Sequence, residues 1–191
     1  MTVIPLFPTL LYYCHIPVPK GLVKYTLDLS KTDKGIEKSN SGGWHSSVGL
    51  HNDEYFVKKY LNHFGKSLTK QLSIPEFYLT SCWLNVNKKG DYNLLHNHPT
   101  NDYALVWFIK TPKNCGNLVY QHPQGFSEYK FLTSLTAEMQ DKYLDYLSYQ
   151  VEPVEGNCFL FPSHLYHQVE INQSDDVRIS MSANLIFNVP D

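Results

Sequence analysis

The sequence predicts a mainly β protein, a sandwich or barrel with flanking helices. Three observations carry this. The apolar period changes at Phe77, from helical spacing to short strand-like runs. Eight such runs follow, rich in Val, Ile, Leu, Tyr, Phe and Trp. Turn residues bound them, at 87–90, 111–116 and 155–157 among others. Many short strands with such turns fit a sandwich or barrel better than a doubly wound parallel sheet.

The elements follow in order. Leu6 to Tyr13 reads as an extended edge strand, because Pro5, Pro8, Pro17 and Pro19 break up the N-terminal stretch. Residues 30–45 are polar and rich in Gly and Ser, so they read as loop. Residues 53–72 read as a helix packing outside the core. There Val57, Tyr60, Leu61, Phe64, Leu68 and Leu72 recur at three- and four-residue steps. Asn52 or Asp53 serves as its N-cap, and Pro75 ends it. The strands are expected at 77–86, 92–97, 103–110, 117–121, 149–153, 157–161, 165–171 and 177–187. Residues 125–148 form an insertion or lid. Within it, Leu132, Leu135, Met139, Tyr143, Leu144 and Leu147 fit a helix over 135–147.

Length and composition narrow the function. A chain of 191 residues suits one domain. With 42% hydrophobic and 14% aromatic residues it can build a core. A net charge of −2 and the absence of a like-charge block give no pull toward duplex nucleic acid or an acidic membrane. The N-terminal stretch lacks a basic leader region and is broken by prolines, so neither a signal peptide nor a membrane span is expected. The four cysteines form no C-x-x-C pair. They are read as reduced thiols, which places the protein in the cytoplasm. An N-terminal edge strand offers a route to a homodimer.

The common phosphate-loop, dinucleotide, nucleophile-elbow and H-E-x-x-H patterns are absent. Three features remain. His96-Asn97-His98 closes a predicted strand, where residues two apart point to one face. Two imidazoles can meet one ion there, or they are surface histidines near a turn. His167 sits in an apolar strand-like run, as a ligand or as a hydrogen-bonded core histidine. Arg178 is the one arginine beside fifteen lysines. Alternation puts it on one strand face with Ser180 and Ser182. A guanidinium holds a carboxylate in a fixed bidentate pose where lysine offers a mobile charge, so Arg178 reads as an acid-binding residue or a structural ion pair. Imidazole ligands with open positions suit iron(II) better than calcium or magnesium.

This pattern resembles the iron(II)- and 2-oxoglutarate-dependent oxygenases, most closely a small subgroup found in bacteria and tailed phages. The resemblance runs through most of the chain. It rests on Leu6-Phe7-Pro8, Gly42-Gly43-Trp44-His45-Ser46, Trp83-Leu84-Asn85-Val86, His96-Asn97-His98-Pro99, Gly116-Asn117-Leu118-Val119-Tyr120 and Pro153-Val154-Glu155-Gly156. Most specific is the run from Leu160-Phe161-Pro162-Ser163 through His167 to Arg178-Ile179-Ser180 and Ser182-Ala183-Asn184.

The resemblance implies a double-stranded β-helix (jelly-roll) core in a single domain over 1–191. It implies Fe(II) and 2-oxoglutarate as cofactors, a hydroxylase acting on a small molecule or peptide, and, for a phage-encoded chain, the host cytoplasm. His96 becomes the first iron ligand and His167 the distal one. Arg178 and Ser180 would hold the far carboxylate of 2-oxoglutarate, with Asn85 and Tyr92 donating hydrogen bonds to it. The family's H-x-D/E acid is His98 here. The third ligand is then His98 itself, or a carboxylate from elsewhere, with Asp102 nearest. A three-histidine dioxygenase working without 2-oxoglutarate and a non-catalytic jelly-roll binding module are the rival readings. Tyr103 is open to pocket or core, and Trp107 reads as core. His45 reads as a residue of the pocket mouth or the barrel end, His122 as a further pocket candidate, and His164 as structural or solvent-facing.

Overall fold

The computed structural model describes residues 8–123, 134–143 and 146–188. Eleven strands lie in two antiparallel sheets among these residues. They are β1 (Tyr12–His15), β2 (Asn40–Ser41), β3 (Trp44–His45), β4 (Phe77–Asn87), β5 (Tyr92–His96) and β6 (Tyr103–Lys110), then β7 (Leu118–Gln121), β8 (Ser148–Val151), β9 (Asn157–Pro162), β10 (His167–Val169) and β11 (Arg178–Phe187). The larger sheet runs β1-β9-β6-β11-β4-β3 and the smaller β2-β5-β10-β7-β8. The last eight strands divide evenly: β4, β6, β9 and β11 build one face, β5, β7, β8 and β10 the other. This is the double-stranded β-helix, or jelly roll.

Side-chain alternation splits the larger sheet between two cores. On β6, Leu105, Trp107 and Ile109 face outward into a layer of helices, while Ala104, Val106 and Phe108 face the smaller sheet. On β11, Ile179, Met181, Ala183 and Leu185 join the helical side. That leaves Arg178, Ser180, Ser182 and Asn184 facing inward. The outer layer is α1 (Leu22–Thr32), α2 (Glu54–Phe56) and α3 (Asn62–Leu72), the last two joined by a π-helical turn over Val57–Leu61. Phe56, Tyr60, Phe64 and Leu68 bury against the sheet. Phe64 meets Trp107 at 4.8 Å between ring centroids, and the Trp107 indole N–H donates to the Ile16 carbonyl at 3.0 Å. Asp53 caps α2 by accepting from the Phe56 amide at 2.7 Å.

Several expectations need correction. The N-terminal strand begins at Tyr12, not Leu6, and runs to His15 opposite β9; residues 1–7 lie outside the described ones. The segment read as loop over 30–45 carries the end of α1 and the short strands β2 and β3. The helix expected over 135–147 is α4 (Ala137–Tyr143), a shorter one. Of the expected insertion over 125–148, residues 125–133 and 144–145 lie outside the described residues. Among the described residues no helix is long and apolar enough to cross a membrane.

Candidate metal centre

His96 ends β5, His98 follows it in the turn, and His167 opens β10 directly opposite His96. The β5–β10 register thus brings two imidazoles from distant sequence face to face. His98 is placed by its own amide, which donates to the Ser163 carbonyl at 2.8 Å. Asn101 ties the turn further, donating to the Pro99 carbonyl at 3.1 Å. The result is three imidazoles with one ligand nitrogen each, all within 4.8 Å of one another. The Nε2 atoms of His98 and His167 stand 3.3 Å apart. Two nitrogens bound to one divalent ion at ~2.1 Å each stand about 3 Å apart, so the donor set fits a metal. Among the described residues this is the one group of metal-ligating side chains that converges.

Hydrogen bonds outside the triad set its chemistry. Nδ1–H of His96 donates to the Leu94 carbonyl at 2.6 Å, and Nδ1–H of His167 to the Leu165 carbonyl at 3.0 Å. A carbonyl only accepts, so Nδ1 carries the proton and Nε2 keeps its lone pair for a ligand. Burial, with the neighbouring imidazoles, pushes His98 down to about 4 and His167 down to about 3. His96 is lowered by burial as well. All three stay neutral at physiological pH, the form that ligates.

The triad opens into a cavity of about 630 Å³. Arg178 lines it and is 1% exposed. Its Nη1 donates to the Cys115 carbonyl at 2.7 Å, and to those of Gly116 and Glu170 at 3.4 Å each. Its Nη2 is buried without a partner among the described residues. Burial lowers the guanidinium to about 10, so it stays charged at neutral pH. A buried cation with one nitrogen committed and one free suits a carboxylate. Ser180 and Asn85 face each other across β11 and β4, both on the cavity wall. The Asn85 amide donates weakly to Ser180 and Ser182 at 3.5 and 3.4 Å, and its Oδ1 has no partner among the described residues.

Other candidates fall differently. Tyr92 does not line the cavity; Asn93 does. The β5–β10 register slips between the His167–His96 and Val169–Asn93 pairs, and this bulge turns Asn93 inward where strict alternation from His96 selects Tyr92. Asp102 does not join the convergent group. Its carboxylate accepts from the Phe187 amide at 2.9 Å. Tyr103 packs against Tyr12 and Phe187 on the helical side, as Trp107 does against Phe64. His122 lies past β7, its amide bonded to the Leu147 carbonyl, off the cavity wall. His164 is exposed.

His45 is a wall residue, 4% exposed and opposite Asn85. Its ring stacks on Trp83 at 5.3 Å and 8°, and Trp83 in turn leans on His98 at 5.7 Å. Gly43 makes this approach possible: with φ +67, a Cβ there would sit 2.9 Å from the Val86 carbonyl. Trp83, Asn93, Ser182 and Lys38 are wall residues that sequence reasoning did not assign to the site. For Trp83 and Ser182 the signal was present, since both share a strand face with assigned residues.

Comparisons with known proteins agree with this geometry. A family model described as "Putative 2OG-Fe(II) oxygenase" matches residues 81–184, and the chain belongs to that family. No curated protein matches the sequence. The fold is similar to that of a prolyl-4-hydroxylase from Pseudomonas putida, at 14% identity and TM-score 0.59, covering 94% of this chain and 93% of that one. It is also similar to HygX from Streptomyces hygroscopicus with nickel, 2-oxoglutarate and hygromycin B bound, at 9% identity and TM-score 0.62, covering 94% and 84%. A 2OG-Fe(II) oxygenase-family oxidoreductase from Burkholderia pseudomallei matches at 14% identity and TM-score 0.50, covering 71% of this chain. The match spans only 57% of that protein's length.

Proposed function

We propose that the protein is an iron(II)- and 2-oxoglutarate-dependent oxygenase, a hydroxylase whose iron is held by His96, His98 and His167. Arg178 and Ser180 hold the far carboxylate of 2-oxoglutarate. One observation carries the reading: three neutral imidazoles and a buried guanidinium with an unpartnered Nη2 meet in one cavity. Iron(II) with 2-oxoglutarate supplies oxidising chemistry, coupling cosubstrate decarboxylation and O₂ reduction to oxidation of a C–H bond.

The chain's own residues bind and orient. The backbone carbonyls of Cys115, Gly116 and Glu170 fix the guanidinium before any ligand arrives. Leu94 and Leu165 fix the tautomers of two ligands. Trp83, Val106 and Phe108 line the cavity with apolar surface that excludes water. A volume of about 630 Å³ suits a small molecule or one peptide side chain beside the cosubstrate.

The test is an anaerobic titration of metal-free protein with iron(II), with and without 2-oxoglutarate. The expected result is the weak visible charge-transfer band of a chelated keto acid, lost in Arg178→Ala. A neutral third ligand, His98, favours a second reading, a three-histidine dioxygenase in which Arg178 grips a substrate carboxylate. Iron binding without the band selects that reading. No iron binding at all overturns both and leaves a binding module.

A further inference from the structure

The larger sheet presents a polar face to the cavity along two neighbouring strands. Arg178, Ser180, Ser182 and Asn184 of β11 pair in register with Asn87, Asn85, Trp83 and Ser81 of β4. Given the cosubstrate reading above, Arg178 and Ser180 are occupied. Asn184 lies four residues beyond Ser180, about 13 Å along the strand, with Ser182 and Trp83 between. It is out of reach of a five-carbon diacid anchored on Arg178, yet it lines the same cavity.

This end of the row is built and incomplete. The Asn184 amide Nδ2 donates to Ser81 Oγ at 2.9 Å, which fixes the carboxamide plane. Its Oδ1 is buried with no partner among the described residues. Such an acceptor costs about 1–3 kcal/mol unless a donor arrives. Ser182, 8% exposed, receives the long Asn85 bond and keeps its own hydroxyl proton to donate. Val48 supplies an apolar flank, held beside Ser81 because its carbonyl accepts the Cys82 amide at 2.9 Å. No carboxylate lines the cavity among the described residues. The second wall cation, Lys38, acts on His45, at the Asn85 level of the sheet.

We propose that Asn184, held by Ser81, and Ser182 form the substrate-recognition subsite, and that it takes an uncharged amide of the molecule to be oxidised. The amide N–H fills the open Oδ1 of Asn184, and the amide carbonyl accepts from Ser182. A carboxylate would set an acceptor against an acceptor. An ammonium would be buried without a counter-charge. A small carboxamide and a peptide bond share this chemistry.

The test uses protein loaded with zinc in place of iron and saturated with 2-oxoglutarate, followed by ¹H–¹⁵N NMR. The 2-oxoglutarate shifts are recorded first. Their absence refutes the cosubstrate reading and not the subsite. Three matched probes are then titrated: N-acetylalaninamide, N-acetylalanine and alaninamide, which are neutral, anionic and cationic at neutral pH. The neutral probe is expected to shift the Trp83 indole and Asn184 side-chain signals and to bind about tenfold tighter than either charged one. Asn184→Leu is expected to cost the neutral probe about tenfold and leave the 2-oxoglutarate shifts unchanged. Preferred binding of a charged probe overturns the proposal. So does undiminished binding in a folded Asn184→Leu protein. Should that variant misfold, the charge series on the unaltered protein decides alone. Both source arms support the subsite: blocked trialaninamide binding tighter than the single residue indicates a peptide, and equal binding a small amide.

Discussion

Gly116→Ala tests how the buried Arg178 guanidinium is held. Gly116 lies just before β7 with φ +84, and a Cβ there would press into the backbone carbonyl of Glu170, with the Ile171 carbonyl at 2.9 Å. Left-handed backbone costs an L-residue roughly 1–2 kcal/mol. Forcing a methyl against main chain adds about 1–3 kcal/mol, and the stiffer unfolded chain returns about 0.4–1 kcal/mol. The net loss is about 1–5 kcal/mol, or roughly 2–20 °C in Tm for a chain of this size. The same junction carries the three carbonyls that Arg178 grips, on Cys115, Gly116 and Glu170. Separating the two segments therefore loosens the guanidinium, and 2-oxoglutarate affinity should fall about tenfold. Gly65→Ala is the control. Gly65 sits within α3 with nothing within 4 Å of an added Cβ, so it should stabilise by about 0.5–1 kcal/mol. Thermal melts and calorimetric titration of metal-loaded protein with 2-oxoglutarate give both quantities. A Gly116→Ala protein that melts as usual refutes the steric argument. One that is destabilised but binds 2-oxoglutarate normally refutes the coupling to Arg178.

Arg178→Lys keeps the charge but cannot hold three carbonyls and a carboxylate at once. We expect 2-oxoglutarate affinity to fall about 10–100-fold with iron affinity unchanged; equal loss of both would place Arg178 in the fold alone. His98→Ala should weaken iron binding by more than the roughly 10–100-fold typical of outer-shell changes. Asp102→Asn should leave iron binding unchanged, because that carboxylate serves the Phe187 amide; the reverse pattern in a metal titration would restore Asp102 as the ligand. Stability of the metal-free protein should fall on acidification. Unfolded imidazoles take protons near 6.5, whereas folded His98 resists to about 4 and His167 to about 3. Between these values the unfolded chain binds more protons, so stability rises with pH and is complete above 6.5. Urea midpoints that stay flat from pH 7 to about 4.5 would contradict the burial of the triad.

The β core was legible because its signal is local. β6 occupies Tyr103–Lys110 as its alternation and bounding turns indicate, and β4 and β11 differ from expectation by one residue each. α1 was hidden for an equally local reason. Val23, Tyr25, Leu27 and Leu29 alternate like a strand, and the helix starts from Gly21 in the left-handed region with no side-chain cap. Its helical face is instead set by Leu22 and by Thr26, which bonds back to the Leu22 carbonyl at 2.9 Å. β1 starts late because β9 chooses its register: Tyr12 pairs with Leu160 and His15 with Asn157. No property of residues 6–15 alone encodes that partner.

The site divides along the same line. His96, His98, His167, Arg178 and Ser180 are residue types whose chemistry announces itself, and strand parity puts Arg178 and Ser180 on one face without knowledge of partners, whereas His98 lies in the turn past β5. Tyr92 and Asn93 show where parity stops. The bulge opposite β10 spends one extra residue of β5 between the two paired positions, which brings Asn93 rather than Tyr92 to the cavity wall. Asp102 shows a different limit. Its carboxylate is near His96 and His98 in sequence, but the Phe187 amide at the end of β11 claims it, 85 residues away. That bond holds Asp102 outside the group of side chains that converge, whereas the His98 ring stacks against His167, 5.1 Å away between centroids. Which side chain stands third beside His96 and His167 thus depends on where β11 ends as well as on the histidine itself.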